Sequence, residues 1–185
     1  MRWIGFIILV YAVLLAQTTV GKVLTFQRTA LGTVGPDLAA IVAVFLALRL
    51  RDGVDLAIAT WTLGLAVDLT TGGTVVGPMA LAYVVAGAAV LKLREAVFRE
   101  RAPAQMLMSL VFCLVAHGLW VTAQSLALGG GSRSWGEYWR MLEQALGLAI
   151  YTAALMPLGH WALGRAERFL IAPQTGRSRG AWGRR

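Results

Sequence analysis

One carboxylate stands at the end of an apolar stretch, where a charge is costly. Asp68 follows Gly64 by four residues, so the two lie one turn apart on one helix face. Intramembrane carboxylates are expensive, and they mark ion paths, proton relays or partner contacts. The polar run Thr70–Gly73 follows at once and places Asp68 near the end of its helix. Bracing of the following turn is favoured, while a partner or lipid contact and a role in transport or catalysis stay open.

A second set of polar side chains falls on one face of a later apolar segment. Steps of three and four residues separate its members, which are Ser109, Cys113, His117, Trp120 and Gln124. A cysteine and a histidine one turn apart could hold a metal or form a nucleophile with its base. No carboxylate is expected at matching depth, and the other histidine, His160, lies near the opposite face. The pattern therefore favours hydrogen bonds between helices.

Signatures of common catalytic sites are absent from the chain. It contains no GxxxxGK[ST], no HExxH and no GxSxG motif. The single cysteine, Cys113, excludes a disulfide framework and a cysteine-based zinc site. We therefore expect neither an enzyme nor a bound cofactor or metal.

Composition indicates an integral membrane protein. Hydrophobic residues make up 58% of the 185 residues and charged residues 14%, whereas soluble domains have about 45–50% and about 25%. The basic residues that give the net charge of +8 lie between apolar runs. Anionic lipid headgroups are therefore a simpler explanation of this charge than nucleic acid.

The apolar runs predict an all-α protein, a transmembrane bundle of six helices. Residues 1–165 form its single domain, and residues 166–185 are predicted to be a disordered basic tail. The segments run approximately Trp3–Val20, Leu31–Leu48, Val54–Thr71, Pro78–Leu93, Pro103–Leu128 and Met141–Leu163.

The second segment is unusual because its apolar part is short. Leu38–Leu48 is too short to span a hydrocarbon core of about 30 Å, and the preceding Gly32–Asp37 is typical of non-helical backbone. Two interpretations stay open, a short helix with an extended lead-in and a re-entrant element.

Charge decides in favour of six crossings with both termini in the cytoplasm. All lysines and arginines except Lys22, Arg28, Arg133 and Arg140 then fall on the cytoplasmic side, as the positive-inside rule requires. A bacterial inner membrane is the expected location.

Small residues in the fourth segment allow helices to approach closely. Ala82 and Ala86 share one face, and Gly64 offers a similar site on the third segment. Internal packing of this segment is favoured over dimerisation. The same face and Gly64 are the first candidates for contact with a partner, and both roles stay open.

The order of motifs in the central third of the chain is more specific than any motif alone. Pro36-Asp37-Leu38 opens the second segment, Gly64-Leu65-Ala66-Val67-Asp68 ends the third, and Ala80-Leu81-Ala82-Tyr83 lies in the fourth. This order resembles the MreD family of rod shape-determining proteins over Pro36–Arg94. Pro36, Asp37, Gly64 and Asp68 are the positions that match the family's motifs.

The resemblance implies a fold similar to the substrate-binding subunits of energy-coupling-factor vitamin transporters. It implies an MreC-like partner with one membrane span, and through it indirect contact with MreB, RodA and a class B transpeptidase. The function would be a non-enzymatic scaffold of cell elongation and peptidoglycan synthesis. Two alternatives are a vitamin-binding transporter subunit and, less favoured because no acid/base pair can be assembled, a membrane enzyme.

Overall fold

Six helices and one short hairpin make up the part of the chain that the structure, a computed structural model, describes. That part comprises residues 3–29, 32–50, 52–71, 76–94, 102–127 and 135–170. The elements are α1 Trp3–Val23, β1 Phe26–Thr29, β2 Gly32–Val34, α2 Leu38–Arg49, α3 Gly53–Thr71, α4 Pro78–Leu93, α5 Ala102–Ala127 and α6 Trp135–Leu170. The predicted number of helices is confirmed.

The short helix α2 occupies the centre of the bundle. It contacts all five other helices, and α3, α4, α5 and α6 pack in sequence order around it, with α1 placed against α3 and α6. Every residue from Ala39 to Leu48 is buried. In lipid the hydrophobic effect does not drive apolar helices together, so α2 must be held by van der Waals packing against its neighbours. The alanines of α2 let the neighbouring helices come close enough for this packing.

The shortness of α2 follows from the signals at its two ends. Asp37 caps its N-terminus by accepting the Ala40 N–H, and the backbone becomes extended at Leu50. Its 12 residues extend about 18 Å at about 1.5 Å per residue. Of the two interpretations of this segment, the structure has the short helix with an extended lead-in.

The lead-in contains an element that the all-α prediction missed. β1 and β2 pair antiparallel, with Phe26 opposite Val34 and Thr29 opposite Gly32. The strands are only four and three residues long, too short for alternation of polar and apolar residues to be recognised in the sequence.

Among the helices of the described residues, three are long and apolar enough to cross a membrane. They are α3, the Ala102–Leu126 part of α5 and the Trp135–Arg165 part of α6. The apolar helices Trp3–Thr19, Leu38–Arg49 and Pro78–Leu93 are shorter. The three long helices indicate an integral membrane protein.

The last helix is longer at both ends than the predicted segment. Trp135, Tyr138 and Trp139, which precede the predicted segment Met141–Leu163, lie in the first turns of α6, where the Tyr138 ring contacts both tryptophans edge to face. At the other end α6 continues to Leu170, beyond residue 165, where the predicted membrane domain ends. Residues 171–185 lie outside the described part of the chain.

The small residues proposed as partner contacts lie inside the bundle. A Cβ atom added to Gly64 would lie 2.7 Å from the Cα of Ala80 and 2.7 Å from the carbonyl oxygen of Met79. Ala82 and Ala86 are 2% and 0% exposed. Internal packing accounts for all three, and none of them is exposed on the surface of the bundle.

Candidate functional site

A cluster of buried polar side chains surrounds the N-terminus of α2. Asp37 Oδ2 accepts a hydrogen bond of 2.8 Å from the Tyr83 hydroxyl and lies 3.0 Å from His117 Nε2. The Asp37 N–H donates to Thr152 Oγ1 over 3.0 Å. One aspartate thereby joins α2 to α4, α5 and α6.

The backbone around Asp37 is held by α1. Gln17 Nε2 donates to the Pro36 carbonyl over 2.9 Å, and the Leu38 N–H donates to Gln17 Oε1 over 2.8 Å. The lead-in has no helical or sheet partner at these residues, and an unpaired backbone group inside a membrane protein is costly. The Gln17 amide therefore replaces the missing backbone partner.

The expectation that no carboxylate faces the polar side of α5 is wrong. His117 pairs with Asp37, which lies 80 residues earlier in the chain. The extended lead-in carries Asp37 into the bundle before the helix begins. The polar face itself is as predicted, with Ser109, Cys113 and Gln124 also buried.

Asp68 acts as a structural brace, the role that the sequence favoured. Its Oδ2 accepts hydrogen bonds from the backbone N–H groups of Gly77, Met79 and Ala80 at 2.8, 3.0 and 3.3 Å. These groups are orphan donors of the first turn of α4. Asp68 therefore caps a neighbouring helix, one turn after Gly64 brings that helix close.

Replacing Asp68 should separate the need for an acceptor from the need for a charge. We expect Asp68→Asn to keep most of the folded yield, because the amide oxygen can still accept from the first turn of α4. Asp68→Ala should lower the free energy of unfolding by about 1–2 kcal/mol, as for loss of a helix cap. Denaturant unfolding in detergent measures both, and equal losses for the two variants would contradict the bracing role.

Arg94 lies at the C-terminal end of α2. In the sequence it was counted only among the basic residues of the cytoplasmic side. The side chain is buried, and its Nη1 donates to the carbonyl oxygens of Ala47, over 2.6 Å, and of Leu50. A cation beside the last carbonyls of a helix is favourable for the helix dipole. Both ends of the central helix are therefore fastened by side chains from other helices.

A partly open cavity of about 180 Å³ adjoins the cluster on the side away from α2. From α5 it is lined by His117, Trp120 and Val121. From α6 it is lined by Met141, Gln144, Ala145 and Leu148. His117 thus belongs both to the cluster and to the cavity.

The described residues include no group of three or more histidine, cysteine, aspartate or glutamate side chains that could hold a metal ion. Cys113 and His117, considered as metal ligands from their spacing, instead contact other parts of the bundle. The thiol is buried, and the imidazole pairs with Asp37.

Comparison with known proteins gave no match, whether to protein-family models, to curated proteins or to solved structures.

Proposed function

We propose that this protein is a non-enzymatic membrane scaffold of the bacterial cell-elongation machinery, similar to MreD, which binds an MreC-like single-span partner. One observation carries the proposal. The positions that match the family's motifs all support the central helix or its neighbours. Pro36 and Asp37 position the start of α2, and Gly64 and Asp68 hold α4 against α3.

The chemistry of these contacts suits a scaffold. Asp37 and Asp68 accept hydrogen bonds from groups of the same chain, and they are 5% and 4% exposed. A buried carboxylate that accepts several hydrogen bonds is stabilised in its position, and such a hydrogen-bond network favours one specific arrangement of helices. A defined helical surface is what a scaffold must present to its partner.

An enzyme is less well supported, although an acid/base pair is present. Asp37 and His117 form such a pair, contrary to the expectation that none could be assembled. Nucleophilic catalysis also needs an activated nucleophile within reach of the base. The described lining of the adjoining cavity contains no serine, threonine, cysteine or lysine.

The described cavity gives little support to a vitamin-binding transporter subunit. The cavity of about 180 Å³ is smaller than the roughly 300–1,000 Å³ of pockets that enclose drug-sized ligands. It also offers few convergent polar groups, with His117 and Gln144 the main ones.

Six crossings of an inner membrane, with both termini cytoplasmic, fit the length of the second segment. The extended residues 32–37 add about 20 Å at about 3.3 Å per residue to the roughly 18 Å of α2. Together they exceed the hydrocarbon thickness of about 30 Å. The basic residues then face anionic lipids of the inner leaflet.

The partner contact must lie on the outer surface of the bundle, because the interior alanines are already packed. Small residues favour contacts between helices in lipid, and Ala12 of α1, Ala88 of α4 and Ala154 of α6 are exposed. Replacing each of these three alanines by leucine tests three different faces of the bundle with the same change of side chain.

Co-purification with an MreC-like protein from native membranes tests the proposal. We expect a leucine at one of these three positions to weaken recovery of the partner about tenfold while the protein still inserts and folds. Leucine at the other two should leave recovery unchanged. Ala86→Leu, inside the bundle, should instead reduce the folded yield, since overpacking costs about 1–3 kcal/mol.

Loss of the protein from a rod-shaped host should give round cells. The proposal fails if no MreC-like partner is recovered with the unsubstituted protein. Tight, stoichiometric binding of a vitamin by that same preparation would favour the transporter alternative.

A further inference from the structure

The cavity beside His117 exists because the central helix is short. α2 begins at Leu38, so it fills the bundle axis on only one side of the Asp37 cluster. On the other side α5 and α6 continue, and Leu148 lies one turn before Thr152 on the same face of α6. The cavity therefore lies against the polar cluster and has His117 as a shared wall.

The orientation of the His117 ring decides whether it presents a hydrogen-bond donor or an acceptor to a ligand in the cavity. Nε2 lies 3.0 Å from Asp37 Oδ2, and a carboxylate only accepts hydrogen bonds, so Nε2 carries the proton. Nδ1 of the neutral ring is then an acceptor. Among the described residues no hydrogen bond reaches Nδ1, and His117 lines the cavity.

The other residues that line the cavity favour a ligand with an uncharged aromatic ring. The described lining has no charged side chain, and burying an unpaired charge is costly. Trp120 offers an aromatic face and Met141 a thioether, and both make favourable contacts with aromatic rings. The volume of about 180 Å³ compares with the roughly 150 Å³ of a cavity that binds benzene.

We propose that this cavity binds a neutral, ring-sized group with one hydrogen-bond donor, of the phenol class, whose hydroxyl donates to His117 Nδ1. The phenol is either a free molecule or the side chain of a tyrosine in a partner's membrane segment. The site is independent of the scaffold function, since it rests on the cavity and on the Asp37–His117 pair alone.

Nitrogen NMR of protein labelled with ¹⁵N at histidine tests the site directly. The chain has 2 histidines, and His160, which contacts Phe45 at a ring-centroid distance of 5.2 Å, serves as the internal reference. We expect the free protein to show His117 with its proton on Nε2. Phenol should then shift the Nδ1 resonance of His117 saturably and leave His160 unchanged.

Toluene has the same ring and no donor. It should bind about tenfold more weakly, which corresponds to the loss of one hydrogen bond. Ala145→Leu fills the cavity and should abolish the shift, whereas Ala154→Leu, the same change on the outward face of α6, should not alter it. Equal binding of phenol and toluene, a proton on Nδ1, or an unaffected Ala145→Leu variant would each overturn the proposal.

The co-purified complex with the MreC-like partner identifies the source of the ring. If the partner supplies a tyrosine, the Nδ1 resonance is already shifted in the complex and phenol no longer binds. If the ligand is a free molecule, the complex still binds phenol as the isolated protein does. A missing partner would contradict the scaffold function alone and leave the phenol titration of the isolated protein valid.

Discussion

Replacing Asp37 by alanine should lower the free energy of unfolding in detergent by about 3–5 kcal/mol, because three buried donors lose their acceptor and each unsatisfied donor costs about 1–3 kcal/mol. The loss leaves the Tyr83 hydroxyl, the His117 Nε2–H and the Ala40 N–H without their acceptor. Tyr83 is 0% exposed, so water cannot replace the missing oxygen. Denaturant unfolding followed by circular dichroism measures the change.

Asp52→Ala is the matched control for this variant. Asp52 also accepts a backbone N–H at the start of a helix, from Val54 over 3.0 Å, but it is exposed. Its loss should cost about 1 kcal/mol, as for an ordinary helix cap. If Asp37→Ala were no more destabilising than Asp52→Ala, the cluster around the start of α2 would not hold the bundle together.

Gly64→Ala should destabilise the protein by about 3 kcal/mol, the upper part of the range for overpacking. The two atoms that its new methyl group would meet, at 2.7 Å, belong to the backbone of Ala80 and Met79. A backbone cannot rotate away as a side chain can, so α3 and α4 must separate. The separation also lengthens the hydrogen bonds from the first turn of α4 to Asp68.

Gly118→Ala makes the same change where nothing lies within 4 Å of the added methyl group. This variant should be neutral or up to about 1 kcal/mol more stable, because alanine is the better helix former. Thermal unfolding of the two variants side by side measures the difference. Losses of equal size would show that glycine matters here for backbone flexibility and not for the contact between α3 and α4.

Local patterns predicted much of the architecture. The positions of all six helices, the shortness of the second and the break before it follow from apolar runs, from glycine and from proline, which act through nearby residues. The bracing role of Asp68 was favoured because its helix ends close by. The hairpin was missed, since such short strands leave no periodicity in the sequence.

The candidate site was less predictable. His117 was recognised as part of a polar face, and Asp37 as part of a motif, but their pairing was not expected. Gln17 and Thr152 were not singled out, since a lone glutamine or threonine in an apolar segment resembles any other polar residue there. In the structure they complete the hydrogen bonds of Pro36, Asp37 and Leu38.

The class of protein, the order of its helices and the places where the backbone cannot stay helical could all be predicted from local sequence patterns. They depend on interactions within one or two turns and on the cost of placing polar groups in lipid. The contacts of Asp37 with His117 and Thr152, 80 and 115 residues away, and the inward orientation of Ala82 and Ala86 became visible only in the folded bundle. Such pairings depend on how helices pack around α2, and the periodicity of a single helix shows which side chains share a face but not which neighbour that face meets.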